Sequence, residues 1–440
     1  MVISSVGPKR VEENADDRFH SQFAWVTVFA IVLCYFNIDH AWNASEIANT
    51  IAVDYTSGDE NLTADRISAV NPLSTFARLA FAGWGCVCFL FAPKTRIRSS
   101  APLFWCLVAI AMFLCASVMW SVRPSQTIFK LSVLGTLAIG GAGMAMKFRL
   151  RELLTIICYS CIAFILIGVA SEIRHGYFRP GGNYRFMGTT HPNTEAIFAS
   201  LLCLVSRMFL SKFGWGNFIG VLVFAFGMLV VWYTRSRTTL AGLLLSLLIT
   251  QTLVIRGANR ILLIAGFLAF ATLGLAASTM ITQSSTGALG KVATMGREDD
   301  VSSLSGRIPL WEELLTSFKK KPILGYGYLA FWDAKKVEYL SATFRWEIPH
   351  AHNLYLDVLL DGGIVGLSLI LLAILCAFVE VTKLYAKHGR IEFAIVFGIF
   401  AYAVINGLAE SIFKLPNFSL FVVTTLCFSM LTEPMKASQR

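Results

Sequence analysis

The sequence His350-Ala351-His352-Asn353 holds the groups of this chain that are best suited to acid–base chemistry. Imidazole has an unperturbed pKa near neutrality, so it can accept a proton under physiological conditions. The two histidines stand directly before a long apolar segment. We interpret His352 as a candidate general base and His350 as a candidate supporting residue. The alternative is that both histidines only anchor the chain at a membrane surface.

Arginines form a second group of candidate residues, at the boundaries of apolar segments. They are Arg174, Arg179 and Arg185 before one segment, Arg235 and Arg237 at the corner between two others, and Arg307 in a long polar interval. The Arg235-Ser236-Arg237 corner has no room for a solvated loop, so its guanidinium groups must lie near the membrane boundary. An arginine at the centre of a membrane helix costs roughly 2.5–3.5 kcal/mol, and less near the interface, so such groups usually have a partner.

A diphosphate is a suitable partner for these arginines. The planar guanidinium group binds phosphate oxygens in pairs and stays charged at all physiological pH values. The candidate diphosphate-binding residues are Arg185, Arg235, Arg237 and Arg307. The alternative is that each side chain only extends to lipid headgroups at the membrane surface.

Other polar residues are predicted to support the base and the arginines. They are His191, at the start of an apolar segment in His191-Pro192-Asn193, Asn353 after His352, and Glu410 and Lys414 in Glu410-Ser411-Ile412-Phe413-Lys414. Glu410 or Lys414 could orient the base or neutralise the charges of the partner. The alternative for His191 is a capping or packing role, and for Glu410 and Lys414 a plain interfacial role.

The composition identifies the elements that must position these groups as membrane helices. Of the 440 residues 56% are hydrophobic and 15% charged, and the mean hydropathy is +0.64. A helix needs roughly 20 apolar residues to cross the hydrocarbon core. We therefore predict an all-α integral membrane protein with about 12 transmembrane helices, near residues 23–38, 73–92, 101–120, 125–146, 153–171, 192–210, 217–233, 238–255, 261–280, 354–380, 391–409 and 417–432.

The distribution of charge predicts which loops face the cytoplasm. The net charge is +10, and its basic residues collect in alternate short loops, at positions 94–98, 147–151, 207–212, 256–260 and 383–390. This is the positive-inside pattern of a membrane protein, which argues against a nucleic-acid partner. It puts both termini in the cytoplasm. The acidic loop 39–72 and the long interval 281–352 then lie outside, at the periplasmic face of a bacterial inner membrane.

The chain is predicted to be one membrane domain with one large external loop. Its parts are a cytoplasmic tail (1–22), transmembrane helices 1–9 (23–280), the periplasmic loop (281–352), helices 10–12 (353–432) and a cytoplasmic tail (433–440). Within the loop, residues 307–318 form an amphipathic helix expected to lie on or against the outer membrane surface. After His352 the i, i+4 spacing of Asn353, Asp357 and Asp361 indicates one polar helix face inside the protein, and Gly362-Gly363 indicates a bend.

No metal site or cofactor is predicted. All ten cysteines fall in apolar segments, so a disulfide framework or a zinc site is not indicated. The sequence also has no aspartate-rich motif that can be assigned to an external loop.

Several motifs occur together in an order that resembles a known family. They are Ser305-Gly306-Arg307, Trp311, Pro322-Ile323-Leu324-Gly325-Tyr326-Gly327, His350-Ala351-His352-Asn353-Leu354-Tyr355-Leu356, Gly362-Gly363-Ile364-Val365-Gly366-Leu367, the Ser236-Arg237 corner and Ala409-Glu410-Ser411. This order resembles the O-antigen ligase and Wzy-type polymerase superfamily over roughly residues 180–415. The stretches 120–124 and 185–193 are similar to the exopolysaccharide polymerases of that superfamily.

The resemblance implies a metal-independent, inverting glycosyltransferase with a GT-C-type fold. Its donor would be an oligosaccharide on undecaprenyl diphosphate and its acceptor a sugar hydroxyl. By the same resemblance, His352 matches the essential histidine of the family, and Arg185 and Arg237 match its diphosphate-binding arginines.

Three alternatives remain at the level of the sequence. The chief one is ligation of the glycan to a lipid A-core acceptor, which needs the same donor chemistry. A transporter or flippase for the lipid-linked sugar would also use arginines, although transporters more often have duplicated halves and broken helices at the midplane. A non-catalytic assembly protein would not explain so many external arginines.

Overall fold

A computed structural model describes residues 22–35, 72–93, 95–181, 184–210, 215–255, 307–346, 348–411 and 416–434. Within these ranges the chain is almost entirely helical. The helices are α1 (Gln22–Tyr35), α2 (Pro72–Leu90), α3 (Pro102–Ala116), α4 (Pro124–Lys147), α5 (Leu150–Arg174), α6 (Pro192–Leu210), α7 (Trp215–Thr234), α8 (Arg237–Val254), α9 (Arg307–Phe318), α10 (Ala334–Phe344), α11 (Leu354–His388), α12 (Ile391–Asn406) and α13 (Phe418–Leu431).

The predicted membrane architecture is confirmed. Every predicted apolar segment coincides with a helix, except 261–280, which lies outside the described residues together with loop residues 281–306 and Lys414. Among the described helices, 7 are long and apolar enough to cross a membrane, and α1, α12 and α13 are shorter apolar helices. Large apolar side chains such as Phe29, Leu90, Trp105 and Leu375 are exposed on the outside of the bundle. An apolar outer surface is what a lipid environment favours.

The basic loops that the structure describes, around positions 95–98, 147–151 and 383–390, lie at one end of the bundle. Strands β1 (Thr95–Ile97) and β2 (Thr432–Pro434) pair antiparallel there, so the chain after α2 joins the chain after α13. Beside them Arg98 forms an ion pair with Glu380 near the end of α11. The buried Lys147 donates a hydrogen bond to the carbonyl of Phe91 at 2.9 Å. The candidate histidines and arginines lie at the opposite helix ends.

The predicted amphipathic helix α9 packs on the protein itself. With α10 and the start of α11 it encloses a second apolar core, formed by Leu310, Leu314, Phe331, Leu340, Ile348, Ala351, Leu356 and Leu360. The indole nitrogen of Trp311 donates to the carbonyl of Ala351 at 2.8 Å. Leu315 of the same helix is 42% exposed and lies outside this core. The small core fixes the chain directly before His352.

The predicted bend in α11 is confirmed at Gly363, which has φ 61° and ψ −162°. The bend frees backbone amides that a straight helix would use internally. Those of Ile364 and Val365 donate instead to the carbonyls of Pro322 and Ile323, at 2.9 and 3.2 Å. The sequence motifs 322–327 and 362–367 are therefore two sides of one contact.

The motif at residues 120–124 contacts the segment between α9 and α10, residues 319–333. Trp120 donates to the carbonyl of Leu324 at 2.9 Å, and Arg123 donates to that of Ala330 at 2.7 Å. The polar face predicted for α11 is also confirmed, since Asp357 is 0% and Asp361 5% exposed. Asp357 accepts a hydrogen bond from the Trp332 indole at 2.6 Å. These groups hold the segment 319–333 against the apolar helices.

Replacing Gly363 by alanine is expected to destabilise the fold. A backbone with positive φ and ψ near 180° is essentially restricted to glycine and costs another residue roughly 1–3 kcal/mol. An added Cβ would in addition overlap the carbonyl of Ile323. The matched control is Gly135→Ala in the interior of α4, where a Cβ meets no atom within 4 Å. Thermal unfolding in detergent should show a clear loss for Gly363→Ala and none for Gly135→Ala; equal unfolding temperatures would contradict the packing at the bend.

Candidate functional site

The site is built around the carboxylate of Glu410, in the loop between α12 and α13. Glu410 is 1% exposed. Its Oε1 accepts hydrogen bonds from Asn193 Nδ2 at 2.7 Å and Arg307 Nη2 at 3.0 Å, and its Oε2 lies 3.6 Å from His352 Nδ1. Arg307 also donates to the carbonyl of Ala409 at 2.6 Å. One buried carboxylate thus brings together the starts of α6 and α9 and the chain before α11.

His352 lies in a backbone conformation that is rare for its residue type. Its φ is +48°, in the left-handed region, and such strain is found preferentially at functional sites. Its amide donates to His350 Nδ1 at 3.2 Å, and the two imidazole centroids are 4.1 Å apart. The ring of Trp346 lies 5.1 Å from the His352 ring, centroid to centroid, and the His352 side chain is 13% exposed. The base candidate is therefore held by packing, and both of its ring nitrogens are buried without a hydrogen-bond partner among the described residues.

Asn353 fixes the backbone that follows His352. Its side-chain oxygen accepts the amide of Leu356 at 3.0 Å, so Asn353 is the N-cap of α11. Its own amide donates to Ser411 Oγ at 3.1 Å, and its side-chain nitrogen donates to the carbonyl of Leu408 at 3.2 Å. The last two bonds join the N-terminus of α11 to the loop that carries Glu410, and so set the approach of His352 to the carboxylate.

The two histidines of the motif differ in their electrostatics. Burial, and then the charge of His352, lower the pKa of His350 to about 3. Since His350 Nδ1 accepts a hydrogen bond from the amide of His352, the neutral ring carries its proton on Nε2. His350 is therefore a neutral group that orients its neighbour, as its predicted supporting position requires.

Glu410 is ionised despite its burial. Burial alone would raise its pKa, but the interaction with His352 and the charge of Arg307 lower that pKa to about 2. A buried carboxylate is stable in this form only because cations and hydrogen-bond donors surround it. The negative charge therefore belongs to the site at every physiological pH.

Arg185 joins the site through Asn193. Arg185 Nη2 donates to Asn193 Oδ1 at 3.2 Å, while Asn193 Nδ2 donates to Glu410. Arg185 Nε donates to the carbonyl of Thr234 at 2.9 Å, at the last residue of α7. The loop between α5 and α6, which carries Arg185, is thereby bound both to Glu410 and to the α7–α8 corner.

His191 repeats the backbone arrangement of the His350 motif. The amide of Asn193 donates to His191 Nδ1 at 3.2 Å, as the amide of His352 donates to His350 Nδ1. The charge of His191 also contributes, as the smallest of the causes, to the lowered pKa of His350. In both motifs a histidine orients the polar residue two positions later, and both of those residues face Glu410.

The Arg235-Ser236-Arg237 corner lies beside the same loop. Arg235 has φ 52°, and its turn directs the chain from α7 into α8. Ser236 Oγ donates to Thr239 Oγ1 at 2.8 Å, and Asn406 Nδ2 donates to the same oxygen at 3.4 Å. Asn406 ends α12, directly before the loop that carries Glu410. Arg235 and Arg237 are both partly exposed at this corner.

Helix N-termini converge on the site. Helices α6, α8, α9 and α11 begin at Pro192, Arg237, Arg307 and Leu354, next to the residues described above. Each N-terminus carries a partial positive charge and unsatisfied amides. Together with the arginines they give the region a positive potential that favours an anion.

Some predicted residues stand apart, and some contacts were not predicted. Arg179 donates to the carbonyl of Gly176 within its own exposed loop, and Arg174 is in the last turn of α5. Asn193 was not predicted as a site residue, although it links Arg185 to Glu410. The signal for it is the His-x-Asn spacing, which matches the spacing of His350 and His352.

Comparison with known proteins finds a matching family for part of this chain. Residues 220–371 match a family model described as O-Antigen ligase. The predicted resemblance to the O-antigen ligase and Wzy-type superfamily is confirmed. The matched region contains the Arg235-Ser236-Arg237 corner, Arg307, His350 and His352, but not Arg185 or Glu410.

Two curated proteins are similar to this chain. "Exopolysaccharide production protein ExoQ" of Rhizobium meliloti (strain 1021) is 25% identical over 350 residues, which cover 76% of this chain and 78% of that protein. "Putative polysaccharide ligase RC0486" of Rickettsia conorii is 25% identical over 138 residues, which cover 30% of this chain and 33% of that protein. This chain is therefore similar to a family described as O-Antigen ligase and to proteins named for exopolysaccharide production and polysaccharide ligation, and its apolar helices fit a multi-pass membrane protein.

The low pKa of His350 predicts an acid-sensitive fold. Between pH 6.5, its ordinary pKa, and about 3, the unfolded chain binds a proton that the folded protein excludes. This contribution to stability is complete above pH 6.5 and is lost as the pH falls below it. In His350→Asn an amide oxygen replaces Nδ1 as acceptor and does not titrate. Unfolding temperatures at about pH 7.5 and about pH 5 should fall less for this variant than for wild type; an equal fall would contradict the assignment.

Proposed function

We propose that this protein is a membrane glycosyltransferase that polymerises the repeat units of an exopolysaccharide or another surface polysaccharide. The donor is an oligosaccharide on undecaprenyl diphosphate, and the acceptor is a hydroxyl of another repeat unit. The observation that carries the proposal is the cluster around Glu410, in which a histidine and several arginines from distant parts of the chain meet at one end of the bundle.

The balance of charge in this cluster supports an anionic substrate. Glu410 is the counter-ion of Arg307 and the hydrogen-bond partner of Asn193, which holds Arg185. Arg235 and Arg237 add further positive charge at the neighbouring corner. As the bond between the anomeric carbon and the diphosphate oxygen breaks, its electron pair stays on the diphosphate. Preorganised arginines and helix N-termini stabilise that charge without the need for a metal ion.

His352 is the proposed general base. Its Nδ1 faces Glu410, so Nε2 is the atom that takes the proton from the acceptor hydroxyl as the new carbon–oxygen bond forms. Glu410 stabilises the imidazolium that results, and the neutral His350 holds the backbone of His352 in place. Attack on the face opposite to the departing diphosphate inverts the anomeric configuration.

The sidedness of the charges supports a periplasmic site. The basic loops lie at one end of the bundle and the cluster lies at the other, so the positive-inside rule gives the cluster the outer face of a bacterial inner membrane. This position also argues against a transporter, whose site would lie near the midplane. The donor would reach the cluster with its lipid tail in the outer leaflet.

Ligation to lipid A-core is the second candidate function, and the description of the matched family model favours it. Similarity to an exopolysaccharide production protein over 76% of this chain favours polymerisation. The test is to incubate the purified protein with undecaprenyl diphosphate-linked repeat unit alone, and then with added lipid A-core. Longer glycan chains in the first reaction are the expected result. Product only in the second would identify a ligase, and product in neither would contradict both.

Replacing His352 by alanine should remove the general base. A base contributes typically ~10²–10⁴-fold, so polymer formation should fall by that factor while binding of undecaprenyl diphosphate is retained. The measurement is turnover of purified protein, checked against its unfolding temperature. Normal polymer formation by a folded His352→Ala protein would contradict the assignment.

Reversing the charge of Arg237 should abolish use of the donor. In Arg237→Glu a carboxylate would repel the diphosphate. The matched control is Arg179→Glu. Arg179 is exposed, and its Nε donates to the carbonyl of Gly176 in its own loop. The control should retain donor use, measured by competition with undecaprenyl diphosphate. Equal donor affinity in both variants would remove Arg237 from the site.

A further inference from the structure

Glu172, in the last turn of α5, is a buried carboxylate that the proposed reaction does not use. It is 2% exposed. Its Oε1 accepts the backbone amides of Met187 and Gly188 at 2.8 and 2.9 Å, and its Oε2 accepts the hydroxyl of Tyr184. These donors lie on both sides of Arg185. We propose that Glu172 is a positioning residue, which holds Arg185 where it binds the diphosphate of the donor; this rests on the function proposed above.

The loop that carries Arg185 is also bound to α7. Residues 175–181 and 184–191, the part of the connection between α5 and α6 that the structure describes, have no regular structure. The amide of Phe186 donates to the carbonyl of Tyr233 at 2.9 Å, and Arg185 itself donates to that of Thr234. Both bonds fix the loop relative to α7, whereas Glu172 fixes it relative to α5. The guanidinium group of Arg185 is thus located by two helices at once.

A second buried carboxylate acts on the far side of the same loop. Glu195, in the first turn of α6, is 0% exposed and accepts the hydroxyl of Thr190 at 3.1 Å. Gly188 has φ +60°, and a Cβ there would overlap Glu195 Oε1. A Cβ on Gly168 of α5 would lie 2.9 Å from the Cα of Gly188, so the loop lies directly on both helices. These contacts with α5 and α6 fix the position of the segment 187–190.

Burial of the Glu172 carboxylate has a free-energy cost, so the groups that donate to it are informative. Burying an ionised group costs several kcal/mol unless donors surround it, and apolar packing would hold α5 to α6 at less cost. Glu172 instead accepts backbone amides, and its acceptor geometry specifies the conformation of Tyr184 to Gly188. Glu172 has no bond to Asn193, Glu410 or His352 among the contacts described above. Its effect on the reaction is therefore indirect, through the loop that carries Arg185.

The test compares variants of Glu172 in the full-length purified protein. Glu172→Ala removes the three acceptor contacts and should weaken undecaprenyl diphosphate binding, and raise the KM for the donor, by about tenfold or more, since bonds to a charged acceptor are among the stronger ones. Glu172→Gln keeps an oxygen for the two amides and should stay within about threefold of wild type. Tyr184→Phe removes one donor and provides a milder variant if Glu172→Ala does not fold. In all of them kcat at saturating donor should change less than KM.

A matched control separates positioning from loss of stability. Glu380 is also a buried helix carboxylate, but it pairs with Arg98 at the other end of the bundle. Glu380→Ala should lower the unfolding temperature without changing donor affinity. If Glu380→Ala weakens donor binding as much as Glu172→Ala, the effect is general and the inference is overturned. The same holds if Glu172→Ala and Tyr184→Phe both bind the donor normally.

A double-mutant cycle with Arg185→Ala decides the route of the effect. If Glu172 acts through Arg185, adding Glu172→Ala to Arg185→Ala causes no further loss of undecaprenyl diphosphate binding. Independent, additive losses would overturn the inference but leave the role of Arg185 intact. If Arg185→Ala alone binds undecaprenyl diphosphate normally, the diphosphate-binding role of Arg185 in the proposed function fails first.

Discussion

The ion cluster of Glu410 is the interaction on which the rest of the site depends. A carboxylate with 1% exposure is stable as an anion only when donors and cations fill its surroundings. Asn193, Arg307 and His352 supply them, and each comes from a different part of the chain. Because each of the three directly precedes or begins a helix, the cluster also fixes where α6, α9 and α11 start. The contacts that form the site thus also hold these three helix ends together.

The helices add to the electrostatics that the side chains create. The N-termini of α6, α8, α9 and α11 meet at this end, and their amides and dipoles are fixed before any substrate arrives. A site preorganised in this way loses little free energy in reorganisation when negative charge develops on a leaving group. The bent helix α11 also helps to position His352. Its bend at Gly363 binds the segment 322–323, and the external core above it holds the chain that leads to His352.

Much of this could be predicted from the sequence, because lipid restricts the choices of the chain. Apolar segments are recognisable by length, so residues at their ends, such as His352 and Arg185, are identifiable as boundary groups. The bend at Gly363 followed from its glycine pair. The partners of these groups could not be predicted, since Asn193 and Glu410 are 217 positions apart and no local spacing links them. Glu172 was missed because it lies at the end of an apolar segment, where its carboxylate has no visible partner in the sequence.

The central claim is that His352 and the arginines form one pocket for a diphosphate. The most direct measurement is an experimental structure of the protein with bound undecaprenyl diphosphate. The account predicts that the diphosphate contacts Arg185, Arg237 and Arg307, with His352 facing it across the space for the acceptor. A diphosphate bound at the end with the basic loops, or one that leaves Arg185 and Arg237 without contact, would contradict the account.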